Sequence, residues 1–226
     1  MLLYAITNRK LLARDEDACR ERLVQLAAEW AQGGVDTIQI REKDLPLGEL
    51  QTLAARIVEA VRIVGGAGRK TRVLVNGPAK VALDAGADGI HLPAAAPLPH
   101  PMAGNDALSG TVATAVRAAH QVYARAEREA VVSAACHSAD EIRQASTASL
   151  LLFSPVFEKI TEPQRAKGQG LAALRMAADL ARPTPVFALG GVTDKNAAAC
   201  VQNGAAGVAA IRLFLGETWK GLKDSA

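Results

Sequence analysis

The chain has 226 residues, of which 50% are hydrophobic but only 4% aromatic, and its formal net charge is +3. This length and composition suit one α/β barrel or one large doubly wound domain better than a β-sandwich. The mild positive charge includes no dense basic run of the kind that binds nucleic acid, and no apolar run approaches a membrane span. We therefore expect one domain over residues 1–226, with neither nucleic acid nor membrane as a partner.

The cysteines and the first residues indicate the compartment. Cys19, Cys136 and Cys200 match no zinc motif, and their odd number argues against a disulfide framework. The chain begins with a segment that reaches polar residues too early for a signal peptide. We expect a cytoplasmic protein, and exposed Ala-rich helices are compatible with a homodimer.

Short aliphatic runs alternate with longer amphipathic segments from the first residue onward. The predicted strands cover residues 2–6, 37–41, 73–76, 89–92, 130–135, 150–154, 186–189 and 207–211. The predicted helices cover residues 17–33, 47–64, 78–85, 111–128, 138–147, 169–181, 193–203 and 213–222. Strict alternation predicts a parallel sheet, and eight units favour a closed (β/α)8 TIM barrel. A Rossmann-type sheet is the alternative, weakened by the missing G-x-G-x-x-G after the first strand.

An internal repeat supports the barrel. Residues 81–90 resemble residues 199–208, and residues 28–37 form a looser third copy. Each copy predicts a helix end, a glycine cap and a buried strand. Residues 93–110, rich in Pro, Ala and Gly, break this rhythm. They are either an extended loop at the catalytic end of the fourth strand or a disordered surface insertion.

The second predicted strand ends in three alternating polar residues, Gln39, Arg41 and Lys43. Active sites of TIM barrels lie at the carboxyl ends of the strands, and polar groups that face a barrel interior need a partner or a ligand. Arg and Lys suit a phosphate or a carboxylate. The alternative is an ion pair with Glu42 or another acid at the rim.

The third and fourth predicted strands carry weaker signals. Asn76 ends the third strand and supplies an amide donor and acceptor, although Asn76-Gly77-Pro78 is also a common helix start. His91 ends the fourth strand and is either a ligand contact or a core histidine bonded within the barrel. The pattern slightly favours the core role.

The fifth predicted strand leads into Cys136-His137-Ser138. Histidine is the residue type suited to proton transfer near neutral pH, so His137 is a candidate acid/base group. Adjacent strand residues face opposite ways, which argues against activation of Cys136 by His137 and favours a packing role for the cysteine. Ser138 and Glu141 have the spacing of a capping box.

The remaining strand ends predict an anion site. Residues 158–170 form a polar loop with Thr161 and Lys167, which is either a mobile lid over an anion or an ordinary exposed loop. Gly190 and Gly191 follow the seventh strand, and Ala210 and Arg212 end the eighth. Backbone N–H groups here and the positive end of the following helix suit a phosphate.

Seven segments, in order and spacing, resemble the thiamine phosphate synthase/TenI superfamily over nearly the whole chain. They are Tyr4-Ala-Ile-Thr, Gln39-Ile-Arg-Glu-Lys43, Gly86-Ala-Asp-Gly-Ile-His-Leu92, Cys136-His-Ser138, Ser154-Pro-Val-Phe157, Gly190-Gly191 and Gly207-Val-Ala-Ala. The resemblance implies a barrel that binds a phosphorylated heterocycle. The synthase joins a pyrimidine pyrophosphate to a thiazole phosphate with magnesium, and a TenI-type tautomerase aromatises a thiazole carboxylate phosphate.

Several positions depart from the synthase pattern. Its Asn-Asp after the third strand is Asn76-Gly77 here, and no acid follows Leu92-Pro93 where the synthase has an Asp. Its Ser before Cys-His-Ser is Ala135, and its Thr-x-Thr-Lys loop is Lys159-Ile-Thr-Glu162. Magnesium-bound pyrophosphate would need those carboxylates.

Other positions match the TenI-like pattern, namely Asn76-Gly77, Leu92-Pro93, Val156-Phe157-Glu158 and His137. The resemblance therefore implies first a tautomerase without a metal cofactor, in which His137 moves the proton. Gly190, Gly191 and Arg212 would hold the phosphate, although Arg212 replaces the usual Ser. Arg41 and Lys43 would hold the carboxylate. The alternatives are a magnesium-dependent synthase, favoured by the intact Gln39, Arg41 and Lys43, and a catalytically silent phosphate-ligand binder.

Overall fold

A closed barrel of eight parallel strands forms the centre of the molecule, which confirms the predicted (β/α)8 fold. The computed structural model describes residues 1–68, 70–93, 112–161 and 164–223, without the side chains of 67, 159–161 and 164–166. The barrel strands are β1 (Leu2–Ile6), β2 (Thr37–Ile40), β3 (Arg72–Val75), β4 (Gly89–Leu92), β5 (Val131–Cys136), β6 (Leu150–Phe153), β9 (Val186–Leu189) and β10 (Gly207–Ala210). They pair in the order β1-β10-β9-β6-β5-β4-β3-β2, and β2 closes the barrel on β1.

Helices on the outside follow most of the barrel strands. They are α1 (Glu16–Gln32), α2 (Leu47–Gly65), α3 (Ala79–Asp84), α4 (Val112–Ala124), α5 (Ala139–Gln144), α6 (Gly170–Ala181) and α7 (Ala197–Gln202). Short 3-10 helices cover Arg9–Leu11 and Gly66–Gly68. Within the described ranges, every helix is too short or too polar to cross a bilayer.

The predicted helix over residues 213–222 is wrong. Two 3-10 helices, Arg212–Leu215 and Thr218–Leu222, stand there instead, separated at Gly216 by extended backbone. Aromatic packing explains the difference, because Phe214 lies between Trp30 and Trp219 with ring centroids 6.1 and 5.7 Å away. The indole N–H of Trp30 also donates to the Phe214 carbonyl at 2.9 Å. These tertiary contacts override the local helical pattern.

The segment after β6 was predicted to be a loop without regular structure, and the structure corrects this. It contains an antiparallel hairpin of β7 (Lys159–Thr161) and β8 (Gln164–Ala166). The side chain of the predicted ligand residue Thr161 lies outside the described part. So do residues 94–110 of the predicted loop after the fourth strand.

The three sequence repeats adopt one backbone geometry. Gly34, Gly86 and Gly204 follow α1, α3 and α7 with φ of 84, 76 and 90°, the left-handed conformation that glycine adopts without strain. The next residue in each copy donates its N–H to a carbonyl five residues earlier, and these bonds are Val35 to Trp30, Ala87 to Ala82 and Ala205 to Cys200. This is the Schellman cap that the repeat predicted.

Two layers of buried apolar side chains determine where a ligand site can lie in the barrel. A large outer layer fills the space between helices and sheet. A small inner layer fills the barrel itself with the side chains of Tyr4, Ile6, Leu74, Leu150, Leu152, Phe187 and Ala209. The inner layer closes the barrel, so chemistry is confined to the mouth at the carboxyl ends of the strands.

Candidate active site

A buried ion pair holds the strand-two side of the mouth. The Glu42 carboxylate accepts hydrogen bonds from the Thr7 hydroxyl at 2.5 Å and from the Arg9 guanidinium at 3.1 Å. Both charged side chains are almost fully buried, with 2% and 4% exposed. The backbone N–H of Arg41 donates to Thr7 Oγ1 at 2.9 Å. Glu42 therefore forms its buried ion pair with Arg9, and it fixes the backbone that carries Arg41 and Lys43.

Arg9 extends this pair outward. Its guanidinium donates two parallel hydrogen bonds of 2.8 Å to Asp44, and its Nε donates to Glu16 at 2.7 Å. The bond from Arg9 holds the pKa of Asp44 far below its usual range, and the bond to Asp44 raises the pKa of Arg9. The sequence analysis missed Arg9. The strand-end rule could have found it, because residues 7–10 follow β1 directly.

Gln39 occupies the barrel interior below this rim. Its side chain is 1% exposed, and its Oε1 atom is buried without a hydrogen-bond partner in the described part of the molecule. An unpaired buried polar atom costs about 1–3 kcal/mol, and such atoms are uncommon in folded proteins. Its burial is consistent with the prediction that Gln39 faces the barrel interior.

His91 is a buried histidine inside the barrel. Its Nδ1 lies 2.8 Å from the Ser133 hydroxyl, which lies 3.0 Å from the hydroxyl of Tyr4. Burial, together with the charges of Arg41 and Lys43, lowers the pKa of His91 to about 3. The core role predicted from the sequence agrees with these contacts, but His91 also borders a cavity at the mouth.

That cavity, of about 600 Å³, opens between the ends of β2, β3 and β4 and the helices outside them. It brings together two predicted ligand residues, Lys43 and Asn76, with His91. Its other walls are mainly apolar and include Leu45, Leu47, Leu50, Ile90, Leu92, Ala115 and Ala119. A few polar groups in an apolar cavity of this size are typical of a small-molecule site.

His137 follows β5, the strand that pairs with β4 at the edge of this cavity. Its side chain is exposed, and its Nδ1 lies 2.6 Å from the Ser154 carbonyl oxygen. A carbonyl only accepts, so the neutral ring carries its hydrogen on Nδ1 and leaves Nε2 as a proton acceptor. Cys136 is buried, which raises the pKa of its thiol to about 12 and agrees with a packing role. The predicted cap is present, since Ser138 Oγ accepts from the Glu141 N–H.

The loop after β9 holds the two predicted phosphate-binding glycines. Gly190 and Gly191 have φ of 94 and 63°, and a Cβ at either position would lie 2.7 Å from the segment 155–158. The carbonyls of Leu189 and Gly190 accept N–H bonds from Val156 and Phe157 at 2.9 and 3.0 Å. Glycine is therefore required for close packing as well as for the turn.

Asn196 ties this loop to the next helix. Its Nδ2 donates to the Gly191 carbonyl at 3.0 Å, and its Oδ1 accepts from the Thr193 N–H at 2.8 Å. This turn explains why α7 begins at Ala197, four residues later than predicted. Asparagine is common in such turns, so its presence in the first turn of the predicted helix was the signal that could have identified it.

The end of β10 differs from the prediction. Ala210 is buried and Arg212 is exposed, but Arg212 begins a 3-10 helix of four residues rather than an α-helix. A helix this short supplies little of the macrodipole that we expected at the phosphate. Arg212 and the exposed Lys167 remain candidate anion contacts through their side-chain charges.

The described mouth does not fit a magnesium ion well. Gly77 and Pro93 follow β3 and β4 and offer no carboxylate, while Glu42 and Asp44 are held by Arg9. Magnesium in enzyme sites is usually held by one or two carboxylates together with the substrate phosphates. Among the described residues, no group of three or more His, Cys, Asp and Glu side chains could hold a metal.

A TIM barrel with polar side chains and a glycine loop at its mouth has an architecture that is frequent among enzymes that bind phosphate. The chain belongs to the TMP-TENI family, described as thiamine monophosphate synthase, whose model matches residues 3–214. It is 34% identical to a thiamine-phosphate synthase of Methanoculleus marisnigri over 95% of this chain and 88% of that one. It is 29% identical to a putative thiamine-phosphate synthase 2 of Aquifex aeolicus over 94% and 97%.

Solved structures agree on the fold. The thiamine phosphate pyrophosphorylase of Pyrococcus furiosus superposes with a TM-score of 0.70 at 24% identity, covering 97% of this chain and 90% of that one. A Rubisco-like protein of Rhodopseudomonas palustris reaches 0.64 at 17% identity, covering 98% and 63%. The family assignment confirms a place in thiamine biosynthesis. The relatives' names favour the synthase alternative over the tautomerase that the sequence analysis ranked first.

Proposed function

We propose that this chain binds a thiazole carboxylate phosphate at the barrel mouth and catalyses its aromatisation by proton transfer. The observation that carries the proposal is His137, an exposed imidazole with its Nδ1 committed to the Ser154 carbonyl and its Nε2 left as a base. A tautomerisation needs an acid/base group and an anchor for the phosphate, and it needs no metal.

The proposal assigns the two ends of the ligand to the two sides of the mouth. The loop at Gly190 and Gly191, with Arg212, would hold the phosphate through backbone N–H groups and one cation. Arg41 and Lys43 would hold the carboxylate and stabilise negative charge as the proton leaves. The buried Gln39 amide would complete the strand-two side. Lys167 and Asn76 are further candidate contacts.

The reaction conserves all atoms. His137 Nε2 would take a proton from a ring carbon of the non-aromatic thiazole, and the electron pair would enter the ring as the exocyclic double bond moves inward. The proton would then return from His137 to the exocyclic carbon, which leaves the aromatic isomer. Arg41 and Lys43 would stabilise the intermediate, in which the carboxylate shares the charge.

Purified protein mixed with the non-aromatic thiazole carboxylate phosphate tests this. We expect ultraviolet absorbance to report aromatisation well above the uncatalysed rate, and His137→Ala to lower kcat by about 10²–10⁴-fold, the usual contribution of acid–base catalysis. Cys136→Ala, next to the histidine but buried, is the matched control and should keep kcat. Equal rates for His137→Ala and wild type would show that the assigned role is wrong.

The second candidate is thiamine phosphate synthesis, the activity that the relatives' names support more directly. It predicts thiamine phosphate from the pyrimidine pyrophosphate and the thiazole phosphate when magnesium is added. Arg41 and Lys43 would then bind pyrophosphate charge that the missing carboxylates leave without a full metal site. Product detected by mass spectrometry would establish this activity, and its absence with ample magnesium would remove it.

A third outcome distinguishes the two catalytic activities from ligand binding without catalysis. If neither reaction occurs but thiazole phosphate raises the melting temperature, the chain is a catalytically silent ligand-binding protein. All three outcomes come from one protein preparation and three assays.

A further inference from the structure

A chain of three side chains runs through the barrel interior and ends at the large cavity. Tyr4 on β1, Ser133 on β5 and His91 on β4 are linked by contacts of 3.0 and 2.8 Å. All three are buried, with 0%, 0% and 6% of each residue exposed. Neither Tyr4 nor Ser133 was identified from the sequence as a site residue.

The direction of these hydrogen bonds follows from counting donors. The Tyr4 hydroxyl has only Ser133 Oγ as a partner among the described residues, so Tyr4 must donate to Ser133 or bury an unused O–H. The Ser133 hydroxyl then has one proton left to donate, and His91 Nδ1 is the acceptor that the described residues place within reach. The reverse direction leaves the Tyr4 hydrogen without an acceptor. A His91 Nδ1–H that also donated to Ser133 would leave the serine hydrogen unused.

This order fixes the histidine tautomer. If Nδ1 accepts from Ser133, the hydrogen of the neutral ring is on Nε2. His91 borders the 600 Å³ cavity together with Lys43 and Asn76. The low pKa of His91 means that the ring stays neutral beside the charges of Arg41 and Lys43.

We infer that His91 presents a neutral Nε2–H donor to the cavity, aligned by the Tyr4–Ser133 relay, and that this donor reads a carboxylate oxygen of the ligand. Lys43 borders the same cavity as His91, and the charges of Arg41 and Lys43 both act on His91. Glu42 also borders the cavity, but its carboxylate accepts from Thr7 and Arg9, and Asn76 can donate through its Nδ2. A histidine N–H beside cationic side chains suits an anionic acceptor, and the proposed ligand offers a carboxylate. The inference rests on the proposed function for the identity of the ligand but not for the tautomer.

The relay gives His91 a role different from that of His137. His137 has its hydrogen on Nδ1 and a free basic Nε2, because its partner is the Ser154 carbonyl. His91 has the opposite tautomer, because its partner is a hydroxyl that must donate. The mouth would thus hold one histidine that accepts a proton and one that donates a hydrogen bond. His91 is a specificity-determining residue in this scheme rather than a base.

Nuclear magnetic resonance of protein labelled with ¹⁵N-histidine tests the tautomer without any ligand. Long-range ¹H–¹⁵N correlations distinguish a protonated Nε2 from a protonated Nδ1, and assignment uses His91→Gln. We expect the Nε2–H form for His91 in wild type and a loss of that preference in Ser133→Ala. A wild-type His91 with its hydrogen on Nδ1 would overturn the inference.

Calorimetric binding tests the specificity. The probes are the aromatic thiazole carboxylate phosphate and the thiazole phosphate that lacks the carboxylate. We expect Ser133→Ala and Tyr4→Phe to reduce the preference for the carboxylated probe by about tenfold, which corresponds to about 1.4 kcal/mol. His91→Gln, whose amide can place an N–H near the Nε2 position, should retain part of the preference. An unchanged preference in Ser133→Ala would refute the role of the relay.

Two controls keep the result interpretable. Ser149→Ala removes another hydroxyl beside β5, one that accepts from the Val132 N–H at 3.1 Å and lies outside the relay, and it should leave the preference intact. Tyr4→Phe keeps the ring that packs on Phe187 at 5.6 Å, so it tests the hydroxyl alone. If neither probe binds wild type while the Nε2–H tautomer is observed, the proposed ligand is wrong. If the carboxylated probe binds preferentially but His91 carries its hydrogen on Nδ1, the proposed tautomer is wrong.

Discussion

The strand-two side and the strand-nine side of the mouth are held in place by different interactions. On the strand-two side, Glu42, Arg9 and Thr7 form a buried network of charged and hydroxyl side chains. On the strand-nine side, the loop at Gly190 is held by backbone hydrogen bonds from Val156 and Phe157 and by contacts too close for a Cβ. Substitutions should therefore act through charge on one side and through shape on the other.

This difference matches the assigned tasks. The strand-two side carries the side-chain cations Arg41 and Lys43, and the buried pair of Glu42 with Arg9 keeps the backbone between them rigid. The strand-nine side is suited to bind a phosphate through backbone groups, which only a glycine turn lets approach. A rigid frame on both sides favours catalysis, because small errors of position lower the rate strongly.

The largest effect should come from Glu42→Ala. Removal of one partner of a buried ion pair leaves an uncompensated charge, and we expect the free energy of unfolding to fall by about 3–5 kcal/mol. Chemical denaturation measures it. Asp44→Ala removes a half-exposed partner of the same arginine and should have a clearly smaller effect. Equal losses in the two variants would show that burial does not set the strength of this network.

Gly190→Ala should have the next largest effect, through shape. A Cβ there would lie 2.7 Å from Pro155 Cα and Cβ, and the backbone has φ of 94°. Overpacking and left-handed strain together predict a loss of about 2–4 kcal/mol in the same denaturation experiment.

Gly170→Ala is the matched control for Gly190→Ala. Gly170 has a similar φ of 86°, but a Cβ there would meet no atom within 4 Å. The difference between the two variants in the free energy of unfolding measures the cost of the steric overlap at Gly190. If Gly170→Ala were as destabilising as Gly190→Ala, backbone strain alone would explain both, and the packing account of the glycine loop would be wrong.

On the strand-two side, His91 should make the free energy of unfolding depend on pH, and we expect this effect to be of intermediate size. Its pKa is about 3 in the folded chain and near 6.5 in the unfolded chain, so below pH 6.5 only the unfolded state takes up the proton. Stability is therefore lost as the pH falls. Between pH 6 and 5 we expect His91→Gln to lower the slope of unfolding free energy against pH by about 1 kcal/mol per unit. Identical slopes would mean that His91 titrates normally.

The fold was predictable from the sequence because it depends on local periodicity. All eight barrel strands were located, with ends that differ by one residue at most, since alternating burial and glycine caps are local signals. The segment 213–222 was one of the exceptions. Its helical pattern is real, but Phe214 packs on Trp30, which is nearly two hundred residues away in sequence, and Trp219 packs on Phe214.

The site was predictable only in part, because strand positions are local information whereas contacts between strands are not. The strand-end rule selected Gln39, Arg41, Lys43, Asn76 and His137 as candidates, because it needs only the position of each strand. It did not reveal that Glu42 would pair with Arg9, or that Ser133 would link Tyr4 to His91, because those contacts join different strands. Partners across the barrel depend on closure and register, which no single segment encodes.

The smallest expected effect concerns the helix cap below His137. Ser138 Oγ accepts from the Glu141 N–H at 3.2 Å, and the Glu141 carboxylate accepts from the His137 N–H. Ser138→Ala should reduce the free energy of unfolding by about 1 kcal/mol, the usual worth of an N-cap. Asp15→Ala, which removes the equivalent cap of α1, should have a similar effect. If Ser138→Ala also lowered kcat tenfold while Asp15→Ala did not, the cap would position His137, and the strand-five side would depend on side chains as strand two does.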